Sequence, residues 1–413
     1  MEDSNARRAT RRLMFLFGAL YFVQGIAEPT EGLISQPVRS LLRSWGLDAS
    51  AMTRFMFFLG IPWYLKPVFG LLTDFVPIRG SRRKSWLVIW TAATSLFLMM
   101  LWLWPPAEGA TRVLFVFLLI PCIGIAFTDV VIDGLMVEEG RPRGITGTLQ
   151  SVQWACLYGA GIGTGWLGGW LSARGMQTTG FAVCAFAALF SLGVAVLMVK
   201  EPEVAPPEGT AKEAVSEMMQ AVKHPAVLGV GAFLFLINFN PFGADVRYLQ
   251  IVEELGLGEE AYGRMSSIQA IAAMVAAGTY GAICRKVPFR FLVHGCVLAT
   301  VVATFFWWGL NDALSAGAIA AGYGFVMMLT TLVQLDMAAR YCPPAIAATV
   351  FATLMALSNF AVSSSAVVGG KLYDVWGASM GRPRAFAILV GVGAAFTCLC
   401  WIVVPYLNRL EEE

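Results

Sequence analysis

Charge is the first thing this sequence lacks. Only 14% of its 413 residues are Asp, Glu, Lys or Arg, while 57% are hydrophobic. A soluble domain carries roughly 25% charged and 45–50% apolar residues. One water-facing core cannot hide so many apolar side chains, and the remainder would leave an oily surface. Histidine is nearly absent, and His224 and His294 stand alone. No cluster with metal-ligand spacing follows, and no metal or other cofactor is expected. The eight cysteines lie mostly in apolar runs without a CxxC pair, so they read as small apolar packers. There is no activated Ser or Cys arrangement and no phosphate-cradling glycine loop beside a strand, which argues against an enzyme. A net charge of +2 builds no basic face for nucleic acid. Residues 1–10 are short and polar, unlike a cleaved signal peptide.

What is present is apolar runs long enough to cross a bilayer, for which a helix needs about 20 residues. They lie at 13–38, 52–74, 86–105, 112–136, 147–171 and 180–199, then at 226–250, 261–283, 290–310, 314–338, 345–370 and 385–407. The expected fold is therefore an all-α membrane protein with twelve transmembrane helices in two six-helix bundles related by a pseudo-two-fold axis. The expected domains are 1–199, a linker at 200–224 and 225–413. The linker opens with prolines and then reads as a short amphipathic helix on the membrane surface.

Orientation follows from Lys and Arg. With the N-terminus inside, about 18 basic residues fall on the cytoplasmic side and about 9 outside. Both termini are then cytoplasmic. Lys371, Arg382 and Arg384 dissent, falling in an outer loop. Short loops favour a bacterial inner membrane, and a monomer is expected.

Ionisable groups at membrane depth are costly unless they face a polar interior. Glu28 and Glu31 lie in segment 1, Lys66 in segment 2, Asp129 and Asp133 in segment 4, Asp245 and Arg247 in segment 7, and Asp336 in segment 10. Charge thus recurs mainly in every third segment, as nested three-helix repeats around an aqueous cavity require. Weak internal repetition agrees. Thr128–Asp133 aligns with Thr331–Asp336, and segments 5 and 11 both carry small-residue stripes with Gly-Gly pairs, Gly168-Gly169 and Gly369-Gly370. Such stripes let backbones approach closely.

Each charged position has a functional and a structural reading. Pro29 should kink segment 1 beside Glu28, which either lines the cavity or sits near the outer interface. Asp129 and Asp133 are four apart and share a helix face. Two like charges this close suit a group that binds and releases a proton, although Asp133 could instead pair with Arg82 or Arg83. Lys66, one turn after Trp63, needs an anion, either a neighbouring carboxylate or one on the cargo. Asp245 and Arg247 are two apart and follow Asn238, Asn240 and Pro241, so segment 7 should be broken with its polar groups facing a cavity. Gln24, Gln150, Gln153, Gln269 and Asn359 are neutral polar candidates. Gly70, Asp74, Arg82 and Arg83 read as a cytoplasmic gate, a latch between the halves that does not touch cargo. Gly70 is expected to permit close packing there.

The six-plus-six pattern with Gly70-x-x-x-Asp74 and the following basic cluster resembles the major facilitator superfamily. A closer resemblance is to the folate–biopterin transporter family. It is carried by Tyr21-Phe22-Val23-Gln24-Gly25, by Pro62-Trp63-Tyr64-Leu65-Lys66-Pro67 running on to Asp74 and Ile78, by Arg82-Arg83, by Asp129-Val130-Val131-Ile132-Asp133-Gly134 and by Gly147-Thr148-Leu149-Gln150-Ser151. The chain departs from the family pattern at Thr148, where an acid is usual, and at Ser81, where an aromatic is. The resemblance implies a secondary transporter in the lipid bilayer, taking up a folate or pterin with protons. A carboxylate such as Asp129 or Glu28 could pair with the pterin edge, and Lys66 or Arg247 could hold a glutamate tail. Trp63, Tyr21 and Phe242 could stack on the ring. The alternative keeps the fold and moves another small organic solute, such as a sugar, a peptide fragment or a drug.

Overall fold

A computed structural model describes residues 2–201, 210–221, 223–284, 286–341 and 347–412. Among these the chain is helical and has no strand; an isolated bridge joins Ile78 and Ser81. The helices are α1 (Glu2–Ala27), α2 (Ser35–Ser44), α3 (Ala49–Tyr64), α4 (Lys66–Phe75), α5 (Lys84–Leu103), α6 (Thr111–Gly140), α7 (Thr146–Ala173) and α8 (Gln177–Met198). They continue as α9 (Ala211–Ala221), α10 (Pro225–Asn238), α11 (Ala244–Leu249), α12 (Gly258–Ile283), α13 (Phe289–Phe305), α14 (Ala313–Tyr341), α15 (Ala347–Met380) and α16 (Arg382–Glu412). A π-turn at Gln250–Glu254 follows α11, and a 3₁₀ turn at Phe306–Gly309 follows α13.

The apolar segments fall mostly on helix among the described residues. Among the described residues, eight helical stretches are long and apolar enough to cross a membrane. The segments that fall short are 1, 5, 7 and 8. They carry the polar N-terminus and Gln24, the glycine-rich stripe, a helix break, and a run of Ser, Gln and Gly. The linker's expected amphipathic helix is α9, while its proline-bearing residues 202–209 lie outside the described residues, as does Cys342. The seven described cysteines are free thiols.

Two boundaries differ from the hydropathy reading. Segment 1 is broken rather than kinked. Helix α1 stops at Ala27, a turn occupies 28–34, and α2 starts anew at Ser35. Pro29 has no N–H to continue the ladder, and the chain reverses through Gly32, whose N–H bonds the Glu28 carbonyl at 2.9 Å. Segment 11 runs on to Met380, so Lys371 is helical and only Gly381, at φ +90°, separates α15 from α16. One of the three dissenting basic residues has local acidic partners. Arg382 donates to Glu253 at 2.8 Å and Glu254 at 3.1 Å, so acids already gather around it.

Packing divides the chain into two compact units, Met1–Leu41 with Val68–Ala211, and Leu42–Pro67 with Lys212–Glu413. The boundaries 1–199 and 225–413 follow chain order, whereas packing groups residues 42–67 with the second unit. In the first unit α1 lies on α7 and α8, and α5 lies between α6 and α8. In the second, α3 lies along α15, α12 along α14, and α13 along α16. Val230, Phe233, Leu234, Val297, Leu354 and Cys400 fill one core of that unit. Helix ends are capped from nearby sequence. Asp48 accepts from Ala51 N at 2.7 Å to open α3. Asp312 accepts from Ser315 N at 2.8 Å before α14 while the Ser315 hydroxyl accepts from Asp312 N at 2.9 Å. The Ser315 amide and hydroxyl, with the Leu314 amide, hold the Asp312 carboxyl below the usual aspartate range.

Both units contain a helix break seated on a glycine. In the first, a Cβ on Gly168 of α7 would stand 3.0 Å from the Leu33 carbonyl in the 28–34 turn. In the second, a Cβ on Gly369 of α15 would run into the carbonyl oxygen of Pro241, in the break between α10 and α11. These are the Gly-Gly stripes of segments 5 and 11. Irregular backbone at membrane depth persists only when buried in protein, and the absent side chain is what lets the neighbouring helix bury it. Gly369→Ala should therefore cost about 3 kcal/mol or more through overpacking, against about 1 kcal/mol for Gly168→Ala. Thermal unfolding of the detergent-solubilised variants measures the ranking, and an equal melting temperature for both would contradict it.

Candidate functional site

In the first unit α1 and α6 meet as a ladder of polar contacts. Gln24 Nε2 donates to Asp129 Oδ1 at 2.6 Å, and the Tyr21 hydroxyl donates to Asp133. Gln153 Nε2 of α7 adds a second donor to Asp133 at 3.2 Å. The i, i+4 spacing of the acids on α6 and the i, i+3 spacing of their donors on α1 put both sets on facing stripes. Gln24 and Asp129 are buried and Asp133 is half-buried. Beside Gln24 lies a cavity of about 10 Å³, also lined by Thr91, Thr94, Thr128 and Ser191, with space for a single water.

Glu28 is buried at the end of α1 and folds back on its own turn, accepting from Thr30 Oγ1 at 2.6 Å and from the Glu31 amide. Gln150 is exposed near the start of α7, and it is Gln153, one turn later, that joins the ladder. Tyr21 and Phe242 are fully buried. Tyr21 is occupied with Asp133, and Phe242 lies among Trp307, Tyr323 and Phe386 at 6.1–6.4 Å between centroids. Neither ring is open for a cargo to stack on, because each fills core space.

The second unit holds Lys66, Trp63, Asp245 and Arg247. Tyr64 ends α3 and Lys66 starts α4, with Leu65 between them and a proline on either side at 62 and 67. Lys66 Nζ sits 4.5 Å from the Trp63 ring centre, a cation–π contact that partly replaces lost hydration. Segment 7 is broken as expected, at 239–243. Past the break, Asp245 is buried and Arg247 is half-buried, with its guanidinium 5.1 Å from the Trp307 ring centre and 5.6 Å from Tyr323. The break is held by Asn240, whose amide N–H donates to Ser365 Oγ at 3.0 Å and whose Nδ2 donates to the Tyr323 hydroxyl at 2.8 Å.

The basic cluster after α4 forms a hub in the first unit. Arg83 is buried and reaches Asp74 at 2.8 Å, Glu138 at 3.1 Å and Thr73 Oγ1 at 2.7 Å. A Cβ on Gly134 would lie 2.8 Å from the Arg83 Cζ, so this glycine admits the guanidinium against α6. Arg82 lies 3.6 Å from Glu138. Glu138 thus takes both arginines. Gly70 does not have the packing role expected of it, since a Cβ there would meet Val130 at an ordinary 3.9 Å.

Two residues here escaped the sequence reading. Glu138 lies beyond the apolar run and resembled an ordinary loop acid. Glu201 resembled the start of a polar linker, yet its carboxylate accepts from the backbone amides of Arg82, Arg83 and Lys84 at 2.7–3.1 Å and from Ser81 Oγ at 2.7 Å. It closes the amino end of α5, where unsatisfied N–H groups and the helix dipole favour an anion. Lys84 Nζ returns the favour, donating to the Val196 and Val199 carbonyls at the end of α8. The amides are presented by a tight reversal at Arg79-Gly80, both at positive φ (53° and 78°), as a two-residue type I′ turn requires.

A profile of the BT1 family matches residues 24–410. The folate-biopterin transporter of Synechocystis sp. is 29% identical over 95% of this chain and 80% of its own length. Probable folate-biopterin transporter 4 of Arabidopsis thaliana is 31% identical over 38% of this chain and 32% of its own length. Among solved structures, the nucleoside transporter NupG matches with a TM-score of 0.74 at 12% identity, covering 96% of this chain and 98% of that one. At such identity the likeness speaks to fold alone.

Glu201→Ala should cost about 1–2 kcal/mol, the range for a lost helix cap, with Glu201→Gln falling between wild type and alanine. Chemical denaturation or amide exchange at the first turn of α5 reads this directly. Unchanged protection of the Arg83 and Lys84 amides would remove the assignment.

Proposed function

The chain belongs to the BT1 family, and from that premise we propose that it is a secondary active transporter taking up a folate or pterin together with protons by alternating access. The family and the relatives matched are transporters, and no catalytic residue is assigned. The cargo class rests on the name of the Synechocystis relative, which aligns over nearly the whole chain. The all-helical chain and the likeness to a solved transporter fold support the reading of twelve spans in two six-helix bundles. Placement in a bacterial inner membrane as a monomer with both termini cytoplasmic belongs to the same reading.

The observation that carries the mechanism is the α1–α6 ladder. Two carboxylates one turn apart at membrane depth are met by an amide at Asp129 and by a phenol and an amide at Asp133. Such donors hold a carboxylate in place and can also accommodate its protonated form, since Gln and Tyr both offer an acceptor as well as a donor. Asp133 and Asp129 are accordingly the proton-carrying groups, with Tyr21, Gln24 and Gln153 as positioning residues. Lys66, beside the α3–α4 break, and Glu28, at the α1 turn, act at the points where helices are interrupted, as transporter sites commonly do. The hub of Asp74, Arg82 and Arg83 acts as the cytoplasmic gate without touching cargo.

Uptake of radiolabelled folate and biopterin in a host lacking its own carrier tests the reading. Wild type should accumulate label, a protonophore should collapse it, and Asp133→Asn and Lys66→Ala should each lose it. Normal accumulation by both variants would remove the site assignment. Uptake insensitive to the protonophore would remove proton coupling.

A further inference from the structure

Of the six polar atoms in the second unit that are buried without a hydrogen-bond partner among the described residues, four belong to three neighbouring residues. They are Nε and Nη1 of Arg247, Nε1 of Trp307 and Oδ1 of Asn240. The three are tied together by Tyr323. Arg247 lies 5.6 Å from its ring centre, Trp307 meets it edge-on at 5.5 Å, and Asn240 donates to its hydroxyl at 2.8 Å. Trp307 is only 1% exposed, so its indole N–H has no recourse to solvent. Leaving such groups unpaired is expensive, and a guanidinium at membrane depth is more so.

The donors and the acceptor are of different kinds, and this narrows what would satisfy them. Arg247 offers a planar pair of N–H groups, Nε and Nη1, the fork that matches a carboxylate. Its Cζ lies 5.1 Å from the Trp307 ring centre and 5.6 Å from that of Tyr323, while Nε and Nη1 make no hydrogen bond to the described residues. The Tyr323 hydroxyl accepts from Asn240, so its own proton is available as a further donor. Asn240 spends its amide hydrogens on Tyr323 and presents a carbonyl oxygen, which needs an N–H. A ligand that answers both demands carries a carboxylate and, close to it, an amide N–H.

Resting on the transport reading above, we infer that Arg247, Trp307, Tyr323 and Asn240 form a subsite for the end of an N-acyl amino acid. The carboxylate lies on the Arg247 fork, and the acyl N–H donates to Asn240 Oδ1. Pteroylglutamate has such an end and a bare pterin does not, so the subsite sets preference within the proposed cargo class. The break at 239–243 places Asn240 and Arg247 together, and Gly369 secures that break.

Isothermal titration of the purified full chain in detergent tests this with folate, biopterin, N-benzoylglutamate, its diethyl ester and N-benzoyl-N-methylglutamate. Wild type should bind N-benzoylglutamate and not the diester, and should bind folate more tightly than biopterin by on the order of 10- to 100-fold. Arg247→Gln should abolish that gap while leaving biopterin affinity unchanged. Asn240→Ala should erase the preference for the N–H ligand over its N-methyl analogue. Equal wild-type affinity for N-benzoylglutamate and its diester overturns the subsite without needing any variant. Survival of the folate–biopterin gap in Arg247→Gln overturns it equally. Binding of N-benzoylglutamate that depends on Arg247, with no binding of either pterin compound, would uphold the subsite and sink the pterin reading instead.

Discussion

Hydrocarbon offers a backbone nothing to hydrogen-bond with, and every departure from regular helix in this protein has to be covered by its own neighbours. Two departures matter most, the turn at 28–34 and the break at 239–243. Each presses a carbonyl against a glycine on another helix, Leu33 against Gly168 and Pro241 against Gly369. The breaks place Glu28 and Arg247 where a continuous helix would not. They also let Asn240 turn its side chain toward Tyr323 rather than along its own helix. The polar chemistry of the two units is therefore downstream of two missing side chains.

Charge is handled by different means in different places. Around α5 the solution is mutual capping. Glu201 closes the amino end of α5, Lys84 closes the carboxyl end of α8, and Arg83 gathers Asp74 and Glu138. Paired in this way, the cluster is suited to hold shape. Along α1 and α6 the acids accept from amide and phenol donors, which orient a carboxylate. In the second unit Arg247 meets ring faces, which stabilise a cation while leaving its hydrogen-bonding edge unspent.

Much of this could be read from the residues. Apolar runs of spanning length marked the helical, membrane-crossing character of the chain, since hydrophobic length is a local property. The i, i+4 spacing of Asp129 and Asp133 placed them on one face for the same reason. The break in segment 7 was visible in Asn238, Asn240 and Pro241, and the Gly-Gly stripes marked close approaches. Other features were not legible. Glu201 read as the start of a linker because capping depends on which amides arrive nearby. Gln150 and Gln153 were alike as neutral candidates, and only packing turns Gln153 toward Asp133. Tyr21 and Phe242 looked like stacking surfaces because aromaticity is evident in sequence while burial is not.

The amino-acid sequence by itself determined that this protein is helical, lives in a bilayer and carries its ionisable groups in particular segments. Those facts follow from composition and period, which need only near neighbours along the chain. Tertiary structure alone decided which donor meets which carboxylate, that Glu138 takes the arginines, and that Arg247 lies on Trp307. Such pairings join residues tens to hundreds of positions apart, and only the packing of one helix on another brings them within a hydrogen bond's reach.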